Sequence, residues 1–128
     1  MRLFLIPVLI ATPTFFCAIG TSPTPPANIV IAVGSTARAS GAVVTFQRVV
    51  SDSRCPLNAA CVWAGDAVAE FAVSARGLDS PYELHLNDAA KRSVNHRGLT
   101  IEFQSLDPYP VASDQKTPID YRAKVDIR

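Results

Sequence analysis

The stretch AVAEFAVSA, residues 67–75, alternates apolar residues with residues of mixed polarity along its whole length. A period of two places successive side chains on opposite faces of an extended chain. One face is therefore apolar and the other is mixed, which is typical of a strand with one side in a core. The stretch predicts a β-strand in an antiparallel sheet.

The same kind of pattern recurs on both sides of this strand. Five more strands are predicted from alternation or from β-branched runs, at residues 28–33, 42–50, 82–86, 99–104 and 119–127. In the second of them Val44, Phe46 and Val50 should share one face, and Arg48 breaks the alternation, as a bulge or an edge position would. The last shows the strictest alternation, with apolar residues inward and charged residues outward.

Turn residues separate these segments, for example Arg-Gly-Leu-Asp-Ser-Pro at 76–81, and no long helical apolar stripe occurs after residue 20. The sequence predicts an all-β fold, an antiparallel β-sandwich or small barrel of about six to seven strands with one disulfide. The strand count does not choose between sandwich and barrel. A chain of 128 residues fits one domain of this kind.

Residues 1–20 are predicted to be a secretory signal peptide. Arg2 provides a positive start, an apolar run follows at 3–10, and Ala18-Ile19-Gly20 forms a small-residue cleavage site. Residues 21–27 form a proline-rich linker, and 28–128 form the single β domain. The chain is therefore predicted to be exported, to a periplasm or to the outside of the cell.

Two other fates of the N-terminal segment remain open. The segment could stay in place as an anchor, although its prolines and threonines interrupt the apolar run that a membrane span needs. Cys17 could be lipidated, although Phe16 stands where a small residue is usual. Contact with a membrane is predicted only in these two cases.

Charge gives no indication of a partner. Arg2 is the only charged residue in the first twenty, so residues 21–128 carry eleven basic and eleven acidic side chains. Binding to nucleic acid or to anionic lipid needs a basic excess on one face, and the nearest candidate is Lys91-Arg92 with Arg97. We predict no nucleic-acid partner. We predict that the chain is a monomer and that it binds an unknown protein or small-molecule ligand.

Residues 52–66, Asp-Ser-Arg-Cys-Pro-Leu-Asn-Ala-Ala-Cys-Val-Trp-Ala-Gly-Asp, form a cassette with two of the three cysteines and the only tryptophan. Cys55 and Cys61 are an even pair once Cys17 is removed, which predicts one disulfide in an exported chain. So short a ring stabilises the fold by roughly 2 kcal/mol. Their spacing fits neither a zinc site with His85 and His96 nor a C-x-x-C redox pair, so no metal or cofactor is predicted.

The cassette also has a structural interpretation. Pro56 fixes the backbone after the first cysteine, and Gly65 allows a conformation that other residues resist. Trp63 is expected to lie buried over the disulfide. Arg54 is expected to pair with Asp52 or Asp66 and so to hold the two ends of the loop together.

This cassette resembles one in a widespread group of small bacterial secreted proteins and lipoproteins of unknown function, where D-S-R-C-P-x4-C-V-W-A-G follows a V-x-F-x-x-V strand, here 44–49. The resemblance covers residues 34–73 and the closing strand. It implies a β-rich envelope protein and assigns no catalytic residue. The chain departs from the lipidated members because it lacks a convincing lipidation motif before Cys17.

The predicted function is an exported binding or interaction module of the cell envelope. An alternative is an inhibitor of a protease-type enzyme that presents the Cys55–Cys61 loop, and a weaker one is a hydrolase. The candidate interaction residues are Arg54, Leu57, Asn58, Ala59, Ala60 and Trp63. No catalytic residue is predicted, because hydrolase and metalloprotease motifs are absent from the sequence and both histidines are expected at the surface.

Overall fold

The computed structural model describes Gly20, residues 25–112 and residues 118–128. The predicted signal peptide, Cys17 and most of the linker lie outside these residues. The strands are β1 (Ala27–Ala32), β2 (Thr36–Ala39), β3 (Ala42–Asp52), β4 (Ala67–Ala75), β5 (Leu78–His85), β6 (Ser93–His96), β7 (Leu99–Asp107) and β8 (Arg122–Ile127). In the described part of the chain, no helix is long and apolar enough to cross a membrane.

The strands form two four-stranded antiparallel sheets that pack together as a sandwich. One sheet has the order β1-β8-β7-β6 and the other the order β2-β3-β4-β5. Strands β2 to β5 lie side by side in sequence order in one sheet, as do β6 to β8 in the other, where β1 is the edge strand beside β8. The predicted all-β antiparallel fold is confirmed, and the sandwich is the form that it takes.

Three phenylalanines form the centre of the core. Phe46 and Phe71 stack within one sheet at 5.1 Å between ring centroids, and Phe71 meets Phe103 of the other sheet edge to face at 5.4 Å. All three are fully buried. The alternation predicted for β4 is confirmed, because its odd-numbered residues from Ala67 to Ala75 are buried.

The break at Arg48 is a β-bulge, the first of the two explanations that the sequence allowed, and β3 is not an edge strand. The pairing of β3 with β4 shifts between Phe46 and Arg48, and again between Val49 and Ser51. Each shift moves one side chain to the opposite face. Val49 therefore packs against the core and Val50 is exposed, so the prediction that Val50 shares the face of Phe46 is wrong.

Several strand boundaries also differ from the predictions. The turn predicted at 76–81 is only Arg76-Gly77, a two-residue hairpin turn with positive φ at both positions, 49° and 76°. Strand β5 then begins at Leu78 and includes Pro81, which an edge strand tolerates because the missing N–H needs no partner there. Strand β8 begins at Arg122 rather than Ile119. The four-residue strands β2 and β6 were not predicted, because so few residues show no clear period.

The register defines the two ends of the sandwich. Ala27 of β1 pairs with Ile127 at one end, and Ala32 pairs with Arg122 at the other. Arg122 pairs in turn with Asp107, where β7 ends. The cassette joins β3 to β4 at this second end, so we call it the cassette end.

Candidate functional site

The cassette forms a loop between β3 and β4 that a disulfide closes. Cys55 and Cys61 are bonded, with their Cα atoms 5.8 Å apart, so the predicted pairing is confirmed. The Ser53 amide donates to the Asp66 carbonyl at 2.7 Å, and the Cys55 amide donates to the Ala64 carbonyl at 3.0 Å. These bonds extend the contact between the two chain segments beyond β3 and β4 and make a narrow base for the loop.

Gly65 is required in this base. Its φ is +69°, in the left-handed region that favours glycine. A Cβ atom there would overlap the backbone carbonyl of Ser53 and approach the Arg54 Cα at 3.1 Å. The conformational role predicted for Gly65 is confirmed, and the close approach of the two backbones adds a second reason for it.

Arg54 is the main anchor of the loop. Its Nε and Nη2 atoms donate to the two carboxylate oxygens of Asp52 at 2.8 and 2.7 Å. Its Nη1 donates to the Leu106 carbonyl at 2.7 Å and its Nη2 to the Pro108 carbonyl at 3.1 Å. The guanidinium carbon also lies 4.7 Å from the centre of the Tyr109 ring. One side chain thus joins the end of β3 to the end of β7, in the other sheet.

This arrangement confirms the predicted arginine clamp and assigns its partner. The partner is Asp52, and Asp66 has other contacts. The Arg54 side chain is only 1% exposed, so its place among the candidate interaction residues is wrong. The physical reason is that its donors are used inside the protein, by one carboxylate and two carbonyl groups.

Asp52 is held in its charged form by these contacts. Burial by itself raises the pKa of Asp52, but the hydrogen bonds and charge of Arg54 outweigh it and bring the pKa below its ordinary value. The Tyr121 hydroxyl donates to the same carboxylate at 3.1 Å. Burial, together with the negative charge of Asp52, raises the pKa of Tyr121.

Asp66 ties the loop to β5. Its Oδ1 accepts from the backbone amides of Ala67 and Asn87, both at 2.8 Å, and its Oδ2 lies 2.8 Å from the His85 Nδ1 atom. The Asn87 side chain donates to the Gly65 carbonyl at 2.8 Å. Burial by itself raises the pKa of Asp66. The hydrogen bonds from the Asn87 amide, His85 and the Ala67 amide lower the pKa by more than burial raises it, so the net shift is downward.

The lowered pKa values of Asp52 and Asp66 predict that the free energy of unfolding decreases in acid. Both have a folded-state pKa below the unfolded value of about 3.9. Their contribution is therefore fully present above that pH and is lost as the pH falls through the folded-state values. We expect the urea concentration at the unfolding midpoint to decrease as the pH is lowered through these values. In the Asp66→Asn variant this decrease with pH should be smaller. Asp79→Asn, at an exposed position of β5, is the control, and equal slopes for the two variants would contradict the prediction.

The outer part of the loop is braced against residues 110–112. The Leu57 amide donates to the Pro110 carbonyl at 3.0 Å. The Asn58 side chain donates to the Ala112 carbonyl at 3.0 Å and accepts from the Ala112 amide at 2.7 Å. Asn58, predicted as an interaction residue, thus uses its amide to hold the loop in one conformation.

Three large apolar side chains of the loop face solvent, and we call them the apolar tip. Leu57 is 71% exposed, Val62 is 91% exposed and Trp63 is 78% exposed. Ala59 and Ala60 are exposed as well. The expectation that Trp63 is buried is wrong. Hydrogen bonds and the Arg54 ion pair hold the base of the loop, so its conformation does not depend on packing of the Trp63 ring. Val62 was missed, and the adjacency of two large apolar residues in a charge-free loop is the signal that marks it.

Neither histidine lines either of the two clefts found on the described part of the chain. His96 ends β6 and is buried, with Nδ1 2.9 Å from the Tyr82 hydroxyl and Nε2 3.1 Å from the Leu78 carbonyl; its predicted surface position is wrong. A cleft of about 460 Å³ lies at the cassette end and a second of about 360 Å³ beside the β2–β3 turn, and neither is lined by a histidine. Within residues 25–112 and 118–128, no cluster of His, Cys, Asp or Glu could hold a metal ion.

Comparisons with protein-family models, with curated proteins and with solved structures find no match to this chain. The resemblance to small bacterial secreted proteins therefore stays a prediction from the cassette motif. The functional argument depends on the geometry of the loop.

Proposed function

We propose that this chain is an exported, monomeric binding domain of the bacterial cell envelope, and that the apolar tip is its contact surface. The observation that carries the proposal is the exposure of Leu57, Val62 and Trp63 on a loop that is otherwise fixed. Scattered apolar residues are ordinary at a protein surface, but several on one rigid loop are typical of a contact site.

The construction of the loop supports this function. The disulfide, the Arg54 contacts and the Asn58 bonds hold the base of the loop and the backbone beside Leu57 before any partner arrives. Val62 and Trp63 lie between the disulfide and the Cys55–Ala64 hydrogen bond. A fixed loop loses little conformational entropy on binding, so more of the contact energy appears as affinity. Tryptophan is the residue type that most often carries such energy.

Two features support export, the disulfide and the pattern of the N-terminal segment. The Cys55–Cys61 disulfide is typical of oxidising compartments. The apolar segment at residues 1–20, with its small-residue end, has the pattern of a signal peptide. Both features agree with a place in the periplasm or outside the cell.

Affinity capture from envelope fractions tests the proposal. The chain from Thr21 onward, which contains every described strand, is immobilised beside its Trp63→Ala and Val30→Ala variants. Val30 is 64% exposed on β1, outside the cassette loop, and is the matched control. We expect one envelope component to be retained by the unchanged chain and by Val30→Ala, and lost with Trp63→Ala. Retention of the same components by all three proteins, or of none by any, would refute the proposal.

The exposure of residues 57–60 also favours the inhibitor alternative, because an inhibitor must present this part of the ring to an enzyme cleft. The same capture experiment separates the two functions. A retained component that is an endopeptidase, and that loses activity when the chain is added, supports the inhibitor. Neither His85 nor His96 lines the cleft at the cassette end or the cleft beside the β2–β3 turn, so these two clefts do not favour the hydrolase.

A further inference from the structure

We propose that the apolar tip inserts into the interfacial layer of a lipid membrane with zwitterionic headgroups. This inference rests on the proposed function, because it names the partner of the same surface. It differs from the expectation that membrane contact needs a lipidated Cys17 or a retained N-terminal segment, because the surface it uses is the exposed Trp63 with its two apolar neighbours on the loop.

The first argument is the absence of charge from the loop. Residues 55–65 contain no charged side chain, so no charge must leave water when the tip enters a lipid surface. The flanking charges are already satisfied, Arg54 by Asp52 and Asp66 by His85 and two backbone amides. Residues 21–128 carry equal numbers of acidic and basic groups. The surface therefore matches a headgroup layer without net charge better than an anionic one, which would need a basic excess.

The second argument is the kind of side chain at the tip. Tryptophan has an apolar body and one polar N–H group, and it favours the boundary between headgroups and acyl chains. Leu57 and Val62 add apolar area on the same loop. No hydrogen bond joins the backbone of Val62 or Trp63 to another described residue. Such a backbone must keep its water, which restricts the tip to the hydrated interfacial layer.

A second copy of the chain is a poorer occupant. The three side chains expose roughly 400 to 500 Å², whereas a stable protein interface buries about 800 Å² on each partner. A lipid surface accepts a small projecting patch without shape complementarity.

The strand register gives the contact a direction. The chain enters β1 at Ala27, at the end of the sandwich opposite the cassette. The tip therefore points away from the place where residues 1–26 join the domain. Insertion of the tip is thus separate from any attachment through the N-terminal segment, and it should survive removal of residues 1–20.

Vesicle binding with Trp63 as the reporter tests the inference. Trp63 is the only tryptophan, so the emission of the chain from Thr21 onward reports on the tip alone. We expect phosphatidylcholine vesicles to shift this emission to shorter wavelength and to carry the chain upward in a flotation gradient. Replacing part of the lipid with phosphatidylglycerol, or adding salt, should change binding little, because no net charge is involved.

Variants complete the test. Trp63→Ala should lower vesicle binding on the order of tenfold or more, Trp63→Phe should restore part of it, and Val30→Ala should bind as the unchanged chain does. Equal thermal unfolding of the variants shows that folding is not the cause. No emission shift, binding only to anionic vesicles, or full binding by Trp63→Ala would overturn the inference. If vesicles fail but a protein is captured through Trp63, the binding function stands and only the lipid partner is wrong.

Discussion

Arg54→Ala is expected to lower the free energy of unfolding by about 3 to 5 kcal/mol, the larger of the two main effects predicted here. The substitution leaves the Asp52 carboxylate in a nearly buried position without its cation. It also removes the donors to the Leu106 and Pro108 carbonyls, which link the two sheets at the cassette end. An uncompensated buried charge is among the costliest losses in a folded protein, and the buried Leu106 carbonyl also loses its guanidinium donor. Urea denaturation at neutral pH measures the change.

Two further variants make this prediction specific. Arg48 of β3 pairs with Glu70 of the neighbouring strand β4 at 2.8 Å, and the Arg48 side chain is 62% exposed. Arg48→Ala should cost only about 0 to 1 kcal/mol. Arg54→Lys should not restore stability, because an ammonium group cannot make the forked contact with Asp52. A loss of stability for Arg54→Ala no greater than for Arg48→Ala would show that the clamp does not hold the loop.

Gly65→Ala is expected to cost roughly 2 to 5 kcal/mol. Part of the cost is the left-handed conformation, at φ +69°. The rest arises because the new methyl group overlaps the Ser53 carbonyl, so the two backbone segments must separate. That movement would weaken the bonds between Ser53 and Asp66 that close the base of the loop. Thermal or urea unfolding measures the loss.

Gly77→Ala is the matched control for this prediction. Gly77 has nearly the same conformation, with φ +76°, but a Cβ there meets nothing within 4 Å. Its substitution should cost only the conformational part, about 1 to 2 kcal/mol. The difference between the two variants therefore measures the close approach of the backbones. Equal losses would mean that the base of the loop adapts without cost.

These variants separate the frame of the loop from its contact surface. Arg54, Gly65 and Asn58 contact other parts of the protein and set the loop conformation. Leu57, Val62 and Trp63 contact solvent. Substitutions in the first group should reduce stability, whereas substitutions in the second should reduce binding and leave unfolding nearly unchanged.

The fold was largely predictable because β-strands have a short, local period. The alternation in residues 67–75 and 99–104 appears directly in the burial of β4 and β7. The bulge at Arg48 was also visible as a break in the period. The short strands β2 and β6 were not visible, because four residues form a strand only when a neighbour supplies the pairing.

The site was only partly predictable, because side-chain orientation in a loop has no period. The disulfide, the special role of Gly65 and the Arg54 clamp followed from residue types and their spacing. The burial of Arg54 depends on carbonyl groups at Leu106 and Pro108, more than fifty residues away in the chain. The positions of Trp63 and His96 likewise depend on what packs near them, and the prediction for each was wrong.

The sequence by itself determined an all-β domain, its strand periods, the cysteine pair and the absence of charge from the loop, since these are properties of composition and local order. The tertiary structure alone decided that Arg54 faces inward and that Leu57, Val62 and Trp63 face outward. The physical reason is that burial of a loop side chain depends on contacts from distant strands. Here the end of β7 gives the arginine a polar site, and polar contacts hold the loop without using the tryptophan.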